Sequence, residues 1–307
     1  MSLSLPNELL EGVSRGEYQL LPGAGASMDS LDATGTNLPS ATGLCKAFID
    51  DFQLPLEPGQ QIGLQRAYEH IEHRRSTSGL IRADYLSHRF SGCKPADWYA
   101  SLAGVPWKRI WTLNIDDVVE VALEQYFRDA DPDSPVRQSP APFSWESVQD
   151  EPRPDEVQVI HLHGFARWLG SGKSQLVFSI LEYLSAARIG HSWHYLFGAE
   201  YLQRPFIFLG ARLVEEYDLA DILRRGSQAR VMTGKPSAIV LKSFSQLDRE
   251  DFTRWGLVCI EADAEHFSRD LQKQIKPHLD LQILIGATKK DTRRVRMFYR
   301  QYVGLGS

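Results

Sequence analysis

Three short motifs contain the residues of this chain that could do chemistry. They are Gly-Ala-Gly-Ala-Ser at residues 23–27, Thr-Leu-Asn-Ile-Asp at residues 112–116 and His-Leu-His-Gly at residues 161–164. A glycine turn can approach an anion, an amide beside a carboxylate can orient hydroxyl groups or water, and histidine is the commonest general base. Together they suit a cleft that binds a phosphorylated ligand and contains a catalytic base.

The glycine motif predicts a site for pyrophosphate. Gly23 and Gly25 have no Cβ, so the backbone can approach a ligand closely, and amide groups at a strand-to-helix turn attract an anion. The motif has neither the lysine of a P-loop nor a third glycine, because Met28 occupies that position of the dinucleotide fingerprint. A tight turn that only joins strand to helix is the alternative, and the motif alone leaves both open.

Asn114 and Asp116 lie where a predicted strand meets a predicted helix. Asparagine both donates and accepts hydrogen bonds, whereas aspartate only accepts, and the pair suits ribose hydroxyls, a carboxamide or an oriented water. The alternative is helix capping, which is common for Asn and Asp. Helix capping accounts for one of the two aspartates, Asp116 and Asp117. It does not explain why Asn114 lies on the strand side of them.

His161 and His163 alternate with Leu162, so both point to one face of a predicted strand. A metal pair is conceivable, but the nearby sequence offers no third ligand at a suitable spacing. For His161 we favour a hydrogen-bonded histidine of the core. His163 stands at the strand end before Gly164, where a catalytic base would lie, and we favour that role for it.

The apolar runs that precede the motifs predict strands, and α/β folds bind ligands at the carboxyl ends of their parallel strands. The predicted strands are residues 18–21, 109–111, 157–160, 206–209, 238–241 and 257–260. Helical periodicity predicts helices around residues 7–15, 180–188 and 192–202. We therefore predict an α/β fold, a Rossmann-like parallel sheet flanked by helices.

Two long segments interrupt this alternation. Residues 39–104 show helical periodicity and few strand signals, which predicts a helical insertion that forms a smaller module. Residues 128–154 are rich in proline and aspartate and predict a surface loop, in preference to a lid over the cleft. Trp145 is a candidate anchor within that loop.

The order of the three motifs resembles the sirtuin-like superfamily of NAD-consuming enzymes. Residues 206–210 resemble the family's buried strand that ends in a glycine facing the nucleotide, and residues 258–267 resemble its last strand and helix. The resemblance spans roughly residues 15–275 as a pattern of motifs and elements. The three scattered cysteines cannot form the paired C-x-x-C zinc module of sirtuin deacylases. Residues 35–40 instead resemble the Gly…Pro-Ser stretch of bacterial sirtuin-like NAD hydrolases.

The resemblance implies NAD+ as the substrate and a site without a metal. It implies that Asn114 positions water and the nicotinamide ribose and that His163 acts as the base. The residues implied to bind NAD+ are Gly23, Ala24, Gly25, Ser27, Asp116, Gly210 and Arg212. Arg212 stands where the family usually has serine or threonine, so it is expected either to bind phosphate or to project into solvent.

The function implied is that of an NAD+ glycohydrolase, which releases nicotinamide and ADP-ribose. The family branch with these traits includes bacterial antiviral effectors that destroy NAD+ when phage infection is sensed. It implies a homo-oligomer with a sensor, either fused or separate: a nucleotide-binding oligomerisation ATPase, an argonaute-like partner or a translocase-type ring protein. Two alternatives stay open. One is a regulatory module that binds NAD or ADP-ribose without turnover, and the other is a deacylase or ADP-ribosyltransferase.

Length and composition agree with a globular protein of one large domain or two small ones. The 307 residues carry a net charge of −5, which argues against extensive nucleic-acid binding. No apolar run reaches the roughly 20 residues of a membrane span, and scattered cysteines fit a reducing cytoplasm. We expect the sirtuin-like domain to cover residues 1–288. Residues 289–307 are basic and are expected to form a helix or linker that leads to a further domain or partner, in preference to a grip on nucleic acid.

Overall fold

The computed structural model of the chain describes residues 2–129, 139–147, 156–171, 173–179, 182–183, 192–213, 216, 219, 222–224 and 234–285. The predicted helix over residues 180–188 lies largely outside these residues. The basic segment 289–307 lies outside them entirely.

The centre of the fold is a sheet of seven parallel strands in the order β3-β4-β2-β1-β5-β6-β7. The strands are β1 Gln19–Pro22, β2 Ile110–Thr112, β3 Ser139–Ser144, β4 Glu156–His161, β5 Phe206–Leu209, β6 Ser237–Leu241 and β7 Leu257–Glu261. Every predicted strand is present, with its ends shifted by one residue at most. The predicted α/β class with a Rossmann-like parallel sheet is confirmed.

Helices cover both faces of this sheet. The described helices are α1 Asn7–Ser14, α2 Ala24–Ser27, α3 Ala41–Asp51, α4 Leu64–His70, α5 Arg82–Phe90, α6 Tyr99–Ala103, α7 Val118–Asp129, α8 Ser192–Gln203, α9 Gln246–Arg254 and α10 Ala264–Ile285. A 3₁₀-helix spans Ala166–Ser171. Helices α3 to α6 all lie between β1 and β2 in the chain, in the segment where we predict a helical insertion.

Successive residues of each central strand belong to two separate hydrophobic clusters. Leu20 and Ile207 pack on the side of α1, α7 and α10, whereas Leu21 and Phe208 pack on the side of α8 and α9. Because both faces of the sheet are covered, its central strands are mostly apolar, as in parallel sheets generally. Burial on both sides leaves the strand ends as the place where polar groups can meet a ligand.

Strand β3 corrects the prediction of a surface loop over residues 128–154 at residues 139–144, whereas residues 130–138 and 148–154 of that prediction lie outside the described residues. It contains Pro140 and Pro142, which signal a loop because proline cannot donate a backbone hydrogen bond. The strand pairs with β4 from Ser139 opposite Glu156 to Ser144 opposite His161. It is the outer strand of the sheet, so one side of its backbone pairs with no other described strand, and proline is tolerated there.

Asp117 joins the helical insertion to the sheet domain. Its carboxylate accepts hydrogen bonds from the backbone N–H groups of Gly92 (2.6 Å) and Cys93 (2.9 Å), just after α5. The same carboxylate accepts two bonds from the guanidinium of Arg167. The side chain of Asp117 is fully buried, and these partners compensate its charge.

None of the described helices combines the length and the hydrophobicity that crossing a membrane requires.

The glycine loop after β1 packs against the loop after β5. The N–H of Gly25 donates to the carbonyl of Gly210 at 2.9 Å. Gly210 has a φ of +66°, and a Cβ there would lie 2.6 Å from the backbone nitrogen of Ala26. A Cβ on Gly23 would lie 2.6 Å from the Cβ of Ala211. Glycine is therefore required at positions 23 and 210, because the two loops contact each other and leave no room for a Cβ.

We expect Gly210→Ala to destabilise the protein by roughly 3 kcal/mol, because it combines a left-handed φ with a backbone collision. Gly35→Ala is the matched control, since Gly35 has a φ of +84° with no atom within 4 Å of an added Cβ. Its cost should be about 1 kcal/mol. Urea unfolding of both variants measures the difference. Equal losses would mean that the loop contact contributes nothing beyond backbone strain.

Candidate functional site

The three motifs meet at the carboxyl edge of the sheet. They follow β1, β2 and β4, which are neighbours in the order β4-β2-β1. Leu20 lies opposite Ile110, and Thr112 lies opposite His161. Parallel strands in this register end at one edge, so the residues that follow them lie on one side of the molecule.

Asn114 is held at its backbone nitrogen and at its side-chain amide. Its N–H donates to the hydroxyl of Thr112 at 3.0 Å, and its Nδ2 donates to the hydroxyl of Ser27 at 2.9 Å. The residue is 9% exposed. No described residue donates a hydrogen bond to its Oδ1. The amide oxygen therefore remains able to accept a hydrogen bond from a ligand or from water.

Ser27 links the first motif to the second. Its hydroxyl accepts from Asn114 and donates to Oδ1 of Asp116 at 3.3 Å. The same carboxylate oxygen accepts from the N–H of Val118 at 3.2 Å, at the start of α7. Asp116 therefore caps the helix and also ends the hydrogen-bonded chain, so capping and participation in the site are compatible.

The surroundings of Asp116 disfavour its charge. Burial raises the pKa of this carboxyl from 3.8 to about 6, although the hydrogen bonds from Val118 and Ser27 oppose the shift. The residue is 6% exposed. Removal from water penalises an ionised carboxylate more than the neutral acid, which is why the pKa is raised.

His161 is a core histidine, as predicted. Its Nε2 lies 2.6 Å from Oε1 of Glu120, and its Nδ1 lies 2.9 Å from the backbone oxygen of Asn114. Burial would lower the pKa of His161, but the neighbouring Glu120 carboxylate and its hydrogen bond outweigh burial, so the pKa is raised. Sequence reasoning missed Glu120. The available signal was its place in the first turn of α7, four residues after Asp116.

His163 lies two residues after the end of β4, as Asn114 lies two residues after the end of β2, and the two strands end at the paired residues His161 and Thr112. It is 5% exposed, its Nε2 lies 3.9 Å from Oε2 of Glu216, and its ring meets that of Tyr183 edge-on at 5.1 Å. Sequence reasoning missed Glu216 and Tyr183, since no local pattern relates either residue to the histidine.

The segment after His163 is held in place by residues 175–177, which pack against it. Gly164 has a φ of +92°, and a Cβ there would lie 2.2 Å from the carbonyl oxygen of Gln175. Val177 N–H donates to the carbonyl of His163 at 3.0 Å. Trp145 is an anchor, as the sequence suggests, because it is buried and its Nε1 donates to Gln175 at 2.8 Å.

The glycine loop offers fewer free amides than its motif suggests. The N–H groups of Gly23, Gly25 and Ala26 donate to backbone carbonyls of Leu209, Gly210 and Gly23. Among the described residues, none accepts from the N–H of Ala24, which is exposed. Arg212 is also exposed, two residues beyond Gly210.

Six of the nine predicted site residues thus form two groups. Hydrogen bonds join Ser27, Asn114 and Asp116, and backbone contacts join Gly23 and Gly25 to Gly210. His163 is not part of the hydrogen-bonded chain, and Arg212 projects from the surface. In the part of the chain that the structure describes, no group of three or more His, Cys, Asp or Glu side chains is arranged to hold a metal ion.

We compared the chain with models of known protein families. The model of the SIR2-like domain family matches residues 108–260, which run from the start of β2 into β7. The chain contains a SIR2-like domain. The match includes Asn114, Asp116, His163 and Gly210, whereas the glycine loop lies before it. Domains of this family are typically NAD-dependent enzymes, so the SIR2-like domain indicates an NAD-related activity. No curated protein matches the chain significantly.

We expect Asp116→Asn to change how the stability of the SIR2-like domain depends on pH. The folded protein holds the Asp116 proton up to about pH 6, whereas the unfolded chain loses it near 3.8. Stability from this group is therefore present at low pH and lost as pH rises through this window. The variant should gain about 3 kcal/mol relative to the parent between pH 4 and pH 7, measured by urea unfolding. A constant difference across this range would contradict the assignment.

Proposed function

We propose that the SIR2-like domain is an NAD+ glycohydrolase, which cleaves NAD+ to nicotinamide and ADP-ribose. The observation that carries this proposal is the orientation of the Asn114 amide. Its Nδ2 is committed to Ser27, and its Oδ1 accepts from no described residue. An amide held in this way presents an acceptor, which suits a ribose hydroxyl or an attacking water.

The reaction needs positioning more than acid catalysis. The bond between the ribose carbon and the nicotinamide nitrogen breaks, and its electron pair passes to the cationic ring, which leaves neutral. The ribose then develops oxocarbenium-like charge, as in glycoside cleavage. Water attacks the same carbon, and its proton passes to His163 as base. Asn114 and Asp116 supply fixed polar groups beside the reacting ribose, which is how most of the rate enhancement would arise.

Binding of the pyrophosphate is assigned to the loops after β1 and β5. Gly23, Gly25 and Gly210 shape these loops through their mutual contacts. The N–H of Ala24 has no acceptor among the described residues. Arg212 is an exposed guanidinium, a group that binds phosphate in a bidentate manner. In this proposal Ser27 acts by holding Asn114, and the phosphates interact with Ala24 and Arg212.

The biological role that we propose is depletion of NAD+ in the bacterial cytoplasm during phage infection. It follows the antiviral branch that the motifs resemble. In that branch the SIR2-like domain would act as a homo-oligomer under the control of a fused or separate sensor, either an ATPase, an argonaute-like protein or another phage-sensing partner. Such control would keep NAD+ hydrolysis slow in healthy cells and accelerate it on infection.

Purified parent protein should consume NAD+ and release nicotinamide, as measured by chromatography. Asn114→Ala and His163→Ala should each lower kcat by at least about 10²-fold, because they remove the positioned amide and the base. His88→Ala is the control, since His88 is exposed on α5 and should leave kcat unchanged. ADP-ribose binding without turnover would instead support a regulatory module, and turnover only with an acyl-lysine peptide would support a deacylase.

Bacteria that carry the parent chain in its native gene context should lose NAD+ after phage infection and yield fewer plaques. Cells with His163→Ala should keep their NAD+ and yield plaques at the level of cells without the protein. The measurement is cellular NAD+ over the course of infection, together with plaque counts. Protection that persists in the variant would contradict a role through NAD+ hydrolysis.

A further inference from the structure

The geometry points to Glu120 and His161 as a positioning pair for Asn114. Neither residue lies in the exposed part of the cleft, since each side chain is 1% exposed. The pair acts on the backbone of Asn114, whereas Ser27 acts on its side chain. This inference rests on the proposed function, because its effect is measured on the reaction that Asn114 would serve.

The hydrogen bonds of His161 define the direction in which it acts. Its Nδ1 lies 2.9 Å from the backbone oxygen of Asn114, and a carbonyl oxygen can only accept. The Nδ1 atom must therefore carry a proton and donate it. At the other side of the ring, Nε2 lies 2.6 Å from a carboxylate oxygen of Glu120. Glu120 thus holds the ring in the orientation that keeps Nδ1 directed at Asn114.

The burial of Glu120 costs free energy, so a gain in stability alone does not explain it. Its second carboxylate oxygen, Oε2, is buried and has no hydrogen-bond partner among the described residues. Well-packed apolar residues can replace buried ion pairs without loss of stability, so a buried pair is weak evidence for a stabilising role. The pair instead fits a role in fixing the position of a neighbouring group.

Asn114 needs this support because it lies between two elements. It follows β2 and precedes α7, and its three anchors are Thr112 on the N–H, Ser27 on the amide and His161 on the carbonyl. Removing the carbonyl anchor would let the residue rotate and move its Oδ1. A displacement of about 1 Å at a reacting group can cost about 10²-fold in rate.

Two nearly isosteric substitutions of His161 separate positioning from packing. The amide nitrogen of asparagine can take the place of Nδ1, whereas that of glutamine can take the place of Nε2. His161→Asn should therefore keep the bond to the Asn114 carbonyl, and its kcat should stay within about tenfold of the parent. His161→Gln should lose about 10²-fold in kcat, with KM for NAD+ and thermal stability close to those of His161→Asn.

Substitutions of Glu120 extend the test if a histidine variant fails to fold. Glu120→Gln keeps a hydrogen-bonding partner for Nε2, and its kcat should remain near that of the parent. Glu120→Met has a similar volume but cannot hold the ring, and its kcat should fall at least about tenfold at unchanged KM.

Two outcomes overturn the inference in distinguishable ways. Equal losses of kcat within each pair of variants, or losses that follow thermal stability, would overturn the positioning role and leave the hydrolase proposal intact. A parent protein that neither turns over NAD+ nor binds ADP-ribose would overturn the proposed function and this inference together.

Discussion

The candidate site depends on the hydroxyl group of Ser27. A hydroxyl group has one proton to donate, and the hydroxyl of Ser27 donates it in a hydrogen bond to the carboxyl of Asp116. Asn114 must then approach Ser27 with its Nδ2 and present its oxygen elsewhere. The orientation of the amide therefore follows from the acceptor oxygen of a buried carboxyl two residues away. The acceptor oxygen of Asp116, at one end of this hydrogen-bonded chain, therefore decides which atom of Asn114 faces a ligand at the other end.

Polar groups beneath the site are compensated in pairs. Arg167 and two backbone amides satisfy Asp117, while His161 pairs with one of the two carboxylate oxygens of Glu120. Phe165 lies against the ring of His161, with centroids 4.2 Å apart, and keeps this region apolar. Hydrogen bonds are stronger in such surroundings than in water. The strand ends thereby hold their polar groups in fixed orientations before any ligand arrives, which is the condition for electrostatic catalysis.

The fold requires the glycines of the first motif for a physical reason other than the one that the motif suggests. The absence of a Cβ at Gly23 and Gly25 predicts close approach of a ligand. In the fold, the atoms nearest to an added Cβ belong to Gly210 and Ala211. The loops after β1 and β5 must touch because their strands are neighbours in the sheet. Glycine is thus needed for the contact between the loops, and a phosphate would meet what remains exposed beside it.

The sequence by itself determined the fold class, the strands before each motif and the core role of His161. Hydrophobic runs and turn residues are local, so they are visible without the fold. Only the tertiary structure decided that Pro140 and Pro142 belong to a strand, because proline is tolerated there only by virtue of the edge position of β3. It also decided the partners of Ser27 and His163, since Asp116 and Glu216 reach them through sheet order and chain crossings. Contacts between residues far apart in the chain leave no spacing to recognise, and the chemistry of this site consists of such contacts.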